Sequence, residues 1–170
     1  AGSPRYSLRA RNNEFAKLDV LEQGIKEAHE RNKKFFLTVN TLPHNSKLKT
    51  FVSDMEPLIA MKPDALIMAD PGLIMTVREK WPEMPIHLSV QANTTNYWGV
   101  KFWQNIGVER IILSRELSME EIAEIRQECP DIELEVFIHG ALCIAYSGRC
   151  LLSGYFNHRD PNQGTCTNSC

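Results

Sequence analysis

Apolar positions along the chain follow two alternating rhythms. Over residues 17–31, Leu18, Leu21, Ile25 and Ala28 recur at helical spacing among charged residues, which predicts an amphipathic helix. Lys34 to Val39 then runs aromatic and β-branched, the pattern of a buried strand. The two rhythms repeat. A helix is predicted from Leu48 to Ala60, capped by Asn45 or Ser46 and broken or kinked near its end by Pro57. A strand spans Asp64 to Ala69 and closes on the turn Asp70-Pro71-Gly72. A short helix over residues 72–80 must stop before Pro82, and a strand follows from Ile86 to Val90. The helix over residues 95–106 carries Trp98, Phe102 and Ile106 at four-residue steps, with Gly107 as its C-terminal stop. Glu109 to Leu113 is a strand. Ser118 and Glu121 form a capping box for a helix that ends near Glu128, and a fifth strand runs from Ile132 to Ile138.

Helices alternating with continuously apolar strands imply an α/β fold, a parallel sheet with flanking helices that cover both faces. A doubly wound sheet and a (β/α) barrel both fit. A complete barrel takes eight units and typically ~250 residues, so five strands in 170 residues make a partial, TIM barrel-like sheet. The expected organisation is a single domain over 1–170, part of a larger barrel, with a Cys-rich tail over 139–170. An unpaired sheet edge left by the absent strands would favour a homo-oligomer.

Composition narrows the function. With 43% hydrophobic and 24% charged residues the chain is an ordinary globular one, and no apolar run is long enough to span a bilayer. The net charge of −2 recruits no nucleic acid through the field of the whole chain, so only a local patch could do so. Residues 1–13 lack any period and read as a loop. Arg5, Arg9 and Arg11 lie there and, with Lys47 and Lys49, make a candidate anion or RNA contact. The absence of a signal-peptide pattern points to a reducing, cytoplasmic setting. A start without Met and an end on Cys170 read as processed or trimmed termini.

Ligands of parallel α/β folds sit at the C-terminal ends of the strands. That rule selects Asn40, Pro43 and His44, then Asp70, then Ser89, Gln91 and Asn93, then Ser114, Arg115 and Glu116, and last His139. The stretches SVQAN and LSREL place large hydrogen-bonding side chains where small turn residues would suffice. Gly-rich phosphate loops are absent, so a nucleotide cofactor is not indicated. A Ser89–His139–Asp70 set can be assembled, but without the strained nucleophile elbow of serine hydrolases.

Five cysteines complete the inventory. Cys129 precedes Pro130 at a helix end and reads as structural. Cys143, Cys150, Cys166 and Cys170 crowd the tail with spacings of 6, 15 and 3 intervening residues. Four thiolates suit a four-iron cluster, which tolerates irregular spacing over loops, and Gly148, Gly154 and Gly164 would let backbone N–H groups approach the sulfurs. Structural zinc, disulfides and free thiols stay open as alternatives.

The segment from Glu135 to Gly154 resembles the signature of the collagenase-like peptidase family of unknown catalytic type. The matching positions are Glu135, Phe137, Gly140, Ala141, Leu142, Cys143, Gly148, Cys150, Leu152 and Ser153. The first fifteen residues, SVQAN, LSREL and the tail after Gly154 are similar to one branch of that family, so the resemblance spans the chain. It implies the amino-terminal part, without the first strand, of a barrel-like catalytic domain. It also implies a [4Fe-4S] cluster on Cys143, Cys150, Cys166 and Cys170. The implied activity is oxygen-independent hydroxylation of the wobble uridine of tRNA with prephenate as oxygen source. Related members hydroxylate the ubiquinone ring, and the older label is a collagen-degrading peptidase. On this reading Arg115, Glu116 and His139 are catalytic, with His139 or Glu116 carrying the proton. Arg115 joins Arg5 or Arg9 in binding a dicarboxylate or phosphate, and Gln91 and Asn93 are pocket hydrogen-bonders. The competing functions are a peptidase, including one built on Cys143 and His139, and a non-catalytic RNA-binding module.

Overall fold

The structure is a computed structural model that describes residues 1–10, 13–140, 143–168 and 170. Its centre is one sheet of five strands: β1 (Phe36–Val39), β2 (Ala65–Met68), β3 (Ile86–Leu88), β4 (Arg110–Ile112) and β5 (Glu133–Glu135). Helix α1 (Leu18–Glu30) leads into β1. Between the strands lie α2 (Asn45–Leu48) and α3 (Phe51–Ala60), then α4 (Pro71–Lys80), α5 (Tyr97–Asn105) and α6 (Met119–Glu128), and α7 (Leu152–Asn157) sits in the tail. The strands are bonded in sequence order and each neighbouring pair is parallel. The expected α/β class is therefore observed. The order never reverses, so the sheet has no switch point of the doubly wound kind. Successive right-handed crossovers in one direction place their helices on one face.

Side-chain alternation shows the consequence. Leu37, Val39, Leu66, Met68, Ile86, Leu88 and Ile111 share one face, and all are buried in the core with Leu21, Ile25, Met55, Ile74, Val77, Val100 and Ile125 of the helices. The opposite face carries a row across the strands: Thr38, Ile67, His87, Arg110 and Glu133. Only His87 of that row is buried, and Glu133 is exposed. The expectation of helices covering both faces is thus corrected, because sequential crossovers put the crossover helices of the described residues on one face.

The free edge of β1 is occupied by the amino-terminal segment. The Ser3 N–H donates to Thr38 O (2.9 Å) and the Thr38 N–H to Ala1 O (2.7 Å), a short parallel bridge. This segment is no solvated loop. Tyr6 is fully buried, meets the Phe51 ring edge-on, and donates its hydroxyl to Asp54 (2.7 Å).

Local signals held unevenly. Ser118 and Glu121 form the capping box of α6, Asp70 caps α4 by accepting from the Leu73 N–H, and Gly107 follows α5 at φ +85°. The helix predicted from Leu48 to Ala60 is two helices, broken at Lys49 and Thr50, and Pro57 sits inside α3 without ending it. In α5, Trp98 and Phe102 face outward at 70% and 55% exposure while Val100 enters the core. Leu18 of α1 is likewise exposed.

Candidate active site

The C-terminal ends of the strands open into a cavity of about 730 Å³. Thr38 and Asn40 come to it from β1, and Val90 and Gln91 from the loop after β3. Arg115 follows β4, residues 137–140 follow β5, Cys143 and Ser147 come from the tail, and Gly2, Ser7, Leu8, Arg9 and Asn13 from the amino-terminal segment. The strands deliver these residues because their apolar faces are committed to the core and the chain turns polar where each strand ends.

The site is held by amide and hydroxyl bonds. Asn40 Nδ2 donates to Ser89 Oγ (3.1 Å), and the Leu8 N–H donates to Asn40 Oδ1 (3.3 Å). Ser89 also accepts from the Gln91 N–H and so caps the short 3-10 turn after β3. Arg115 Nη2 donates to Ser147 Oγ (2.9 Å) and Ala145 O (3.3 Å). Its Nε is buried and meets no acceptor among the described residues. The cavity wall carries Arg9, Arg115 and His139 and, among the described residues, no carboxylate. A concave, cation-lined site of this kind selects an anionic ligand. Phe137 and Ile138 give it an apolar side.

Arg9, Gln91, Arg115, His139 and Cys143 therefore meet in one cavity. Other expected members stand apart. Glu116 is exposed and outside the cavity lining, because it lies one residue beyond Arg115 on the turn that leaves the sheet. Arg5 is drawn to the helix side, where Nη1 pairs with Asp54 Oδ2 (2.8 Å) and bonds Thr50 Oγ1. Asn93 adopts φ +52° and its Oδ1 accepts from Ser114 Oγ (2.9 Å), a contact that ties two loops together. The supposed basic patch is dispersed as well. Lys47 donates to Gln163 O (2.7 Å), and Arg11 lies outside the described residues, as do Ala141 and Leu142 of the signature. Ser147 and Asn13 escaped sequence reasoning. Neither follows a strand, and only the docking of the two chain ends brings them to the wall.

All five cysteines are free thiols. Cys129 is buried, and burial raises its thiol pKa. Cys143 and Cys170 are exposed, while Cys150 and Cys166 are half-buried. Among the described residues no three metal-ligating side chains come close enough to share one ion. By donor type alone, the four tail thiols suit a four-iron cluster.

A parallel sheet with its site at the strand ends, and a signature cysteine on the cavity wall, defines a class. The family model of peptidase family U32 matches residues 1–170, and the chain belongs to that family. It is 69% identical over 170 residues to the tRNA hydroxylation protein P of Haemophilus influenzae and 68% identical to that of Escherichia coli. It covers 37% of the length of each. It is 34% identical over 169 residues to the Escherichia coli 23S rRNA 5-hydroxycytidine C2501 synthase, covering 25% of that protein. The solved structure of the U32 peptidase Mk0906 matches 73% of this chain and 53% of its own at a TM-score of 0.61 and 17% identity, a likeness of fold.

Proposed function

We propose that the chain is the site-bearing part of an RNA hydroxylase that forms 5-hydroxyuridine at the wobble position of tRNA, with the dicarboxylate prephenate as oxygen source. The observation that carries this reading is the cavity wall, where Arg9, Arg115, His139 and Cys143 meet, with no carboxylate among the described residues. The relatives named for RNA hydroxylation support it. The five strands would belong to a larger (β/α) barrel working in the cytoplasm. Cys143, Cys150, Cys166 and Cys170 would hold a [4Fe-4S] cluster. When bound, the cluster would supply electron transfer at a sulfur-ligated centre.

The chain's own residues do the binding. The guanidinium groups of Arg115 and Arg9 take the carboxylates or a phosphate of the ligand, since planar guanidinium matches such anions. Phe137 and Ile138 offer the ligand an apolar surface on one side of the cavity. His139 stands on the same wall, which Glu116 does not reach, and is the group that moves a proton.

A peptidase reading retains one supporting observation, that Cys143 and His139 line the same cavity. Ser89 and Ser114 are buried and bonded to the amides of Asn40 and Asn93, so neither is an activated serine. Cys170→Ser separates the two readings. Anaerobic loading followed by iron and sulfide analysis is expected to give visible absorbance that is lost in both Cys143→Ser and Cys170→Ser. The same substitutions in a full-length protein carrying this segment should abolish 5-hydroxyuridine in tRNA, read by mass spectrometry of nucleosides. Full activity in Cys170→Ser overturns the cluster.

A further inference from the structure

We infer that Arg115 and Gln91 are positioning residues that strap the Cys143–Cys150 loop to the ends of β4 and β3. The inference rests on the proposed site only in that this loop carries two of the four tail thiols. Arg115 spans Ala145 O and Ser147 Oγ with one Nη2, and Ser147 is buried under it. The next residue, Gly148, donates its N–H to Gln91 Oε1 (3.2 Å). Gly148 sits at φ +74°, and a Cβ there would lie 2.5 Å from the Gln91 carbonyl oxygen. The tail backbone thus presses directly on the loop after β3 at the one residue that has no side chain.

Two strand ends hold consecutive residues midway between Cys143 and Cys150. These ties are hydrogen bonds of 2.9 to 3.3 Å, while the loop exposes Ile144 and Tyr146 to solvent. Apolar burial does little to hold it, so its placement depends on these bonds. Cys150 and Cys166 have a separate anchor. Asn162 Nδ2 donates to Cys150 O, the Leu42 N–H donates to Asn162 O, and Ser153 Oγ accepts from the Thr167 N–H beside Cys166. Loss of the strap should therefore free Cys143 and the residues beside it, and leave Cys166 where it is.

The test is amide hydrogen exchange of the iron-free chain under anaerobic conditions, resolved by peptide mass spectrometry. The reporter is the Arg149 N–H, which donates to Tyr146 O within the loop. Removing the Arg115 guanidinium should raise its exchange rate about fivefold, the population change that ~1 kcal/mol of lost hydrogen bonding gives for a local opening. Arg115→Ala is expected to speed Arg149 in this way while the Thr167 N–H keeps its rate and the Cys129 N–H, bonded to Ile125 O, stays protected. Arg115→Lys, which can still reach one acceptor, should recover part of the protection. Fast exchange at Cys129 in Arg115→Ala would mean general unfolding, and Gln91→Leu then decides. Faster Arg149 with protected Cys129 in that variant supports the strap, and an unchanged Arg149 overturns it. Equal Arg149 rates in folded Arg115→Ala and the parent chain also overturn it. A parent chain that takes up no iron counts against the cluster alone, because exchange is read without metal.

Discussion

His87 shows how the open face of the sheet treats a single residue. It stands in the row with Arg110 and Glu133 and meets the Phe36 ring at 4.7 Å. Burial, and after it the Arg110 guanidinium, lowers its pKa from the usual 6.5 to about 4. As pH falls through 6.5 the unfolded chain protonates this ring, while the folded chain keeps it neutral until about pH 4. The unfolded state binds more protons across that window, so stability is full above pH 6.5 and falls toward pH 4. Urea midpoints measured from pH 7 to 4.5 should fall steadily in the parent chain and less steeply in His87→Gln. Parallel profiles would show that the ring titrates normally.

At the scale of elements, the helices are set by their ends more than by their apolar stripes. Ser118 Oγ accepts from the Glu121 N–H and the Glu121 carboxylate accepts from the Ser118 N–H, so α6 starts where this pair dictates. Ser118→Ala should cost about 1 kcal/mol, which lowers Tm by ~2–4 °C in a chain of this size. A thermal scan showing no change would mean that packing alone fixes α6. The stripe in α5 was less informative. Trp98 and Phe102 satisfy helical spacing, yet they lie on the solvent side, where Lys101 sits over the Trp98 ring at 5.3 Å and pairs with Glu128. Spacing identifies a helix but does not say which of two apolar faces meets the sheet.

For the whole molecule, the balance of exposed apolar surface and charged edge governs association. The free edge at β5 is three residues long, and its Glu133 and Glu135 both pair with Arg110. Short, charged edges resist pairing. Residues 137–156, in contrast, expose Phe137, Ile138, Ile144, Tyr146, Leu151, Tyr155 and Phe156. We propose that self-association, where it occurs, runs through this tail surface rather than the edge. Sizing across a concentration series should show association that weakens in a Tyr155→Ser, Phe156→Ser double variant. A clean monomer at high concentration would refute it.

The sequence by itself determined the alternation of helices and strands, the parallel sheet, the polar strand ends and the tail cysteines, because each is written in local spacing and in residue type. Gln91, Arg115, His139 and Cys143 were legible as site candidates for the same reason, since they follow apolar strands or sit in a specific signature, and Arg9 was legible by residue type as an arginine of the first loop. Tertiary structure decided which of the candidates meet. Arg5 is taken by Asp54, Asn93 by Ser114, and Glu116 by solvent, since a side chain one residue along a turn points elsewhere. It also decided that the first residues pair with β1 and that the tail is strapped across the strand ends by Arg115 and Gln91. Those contacts join residues far apart in the chain, and no local pattern encodes them.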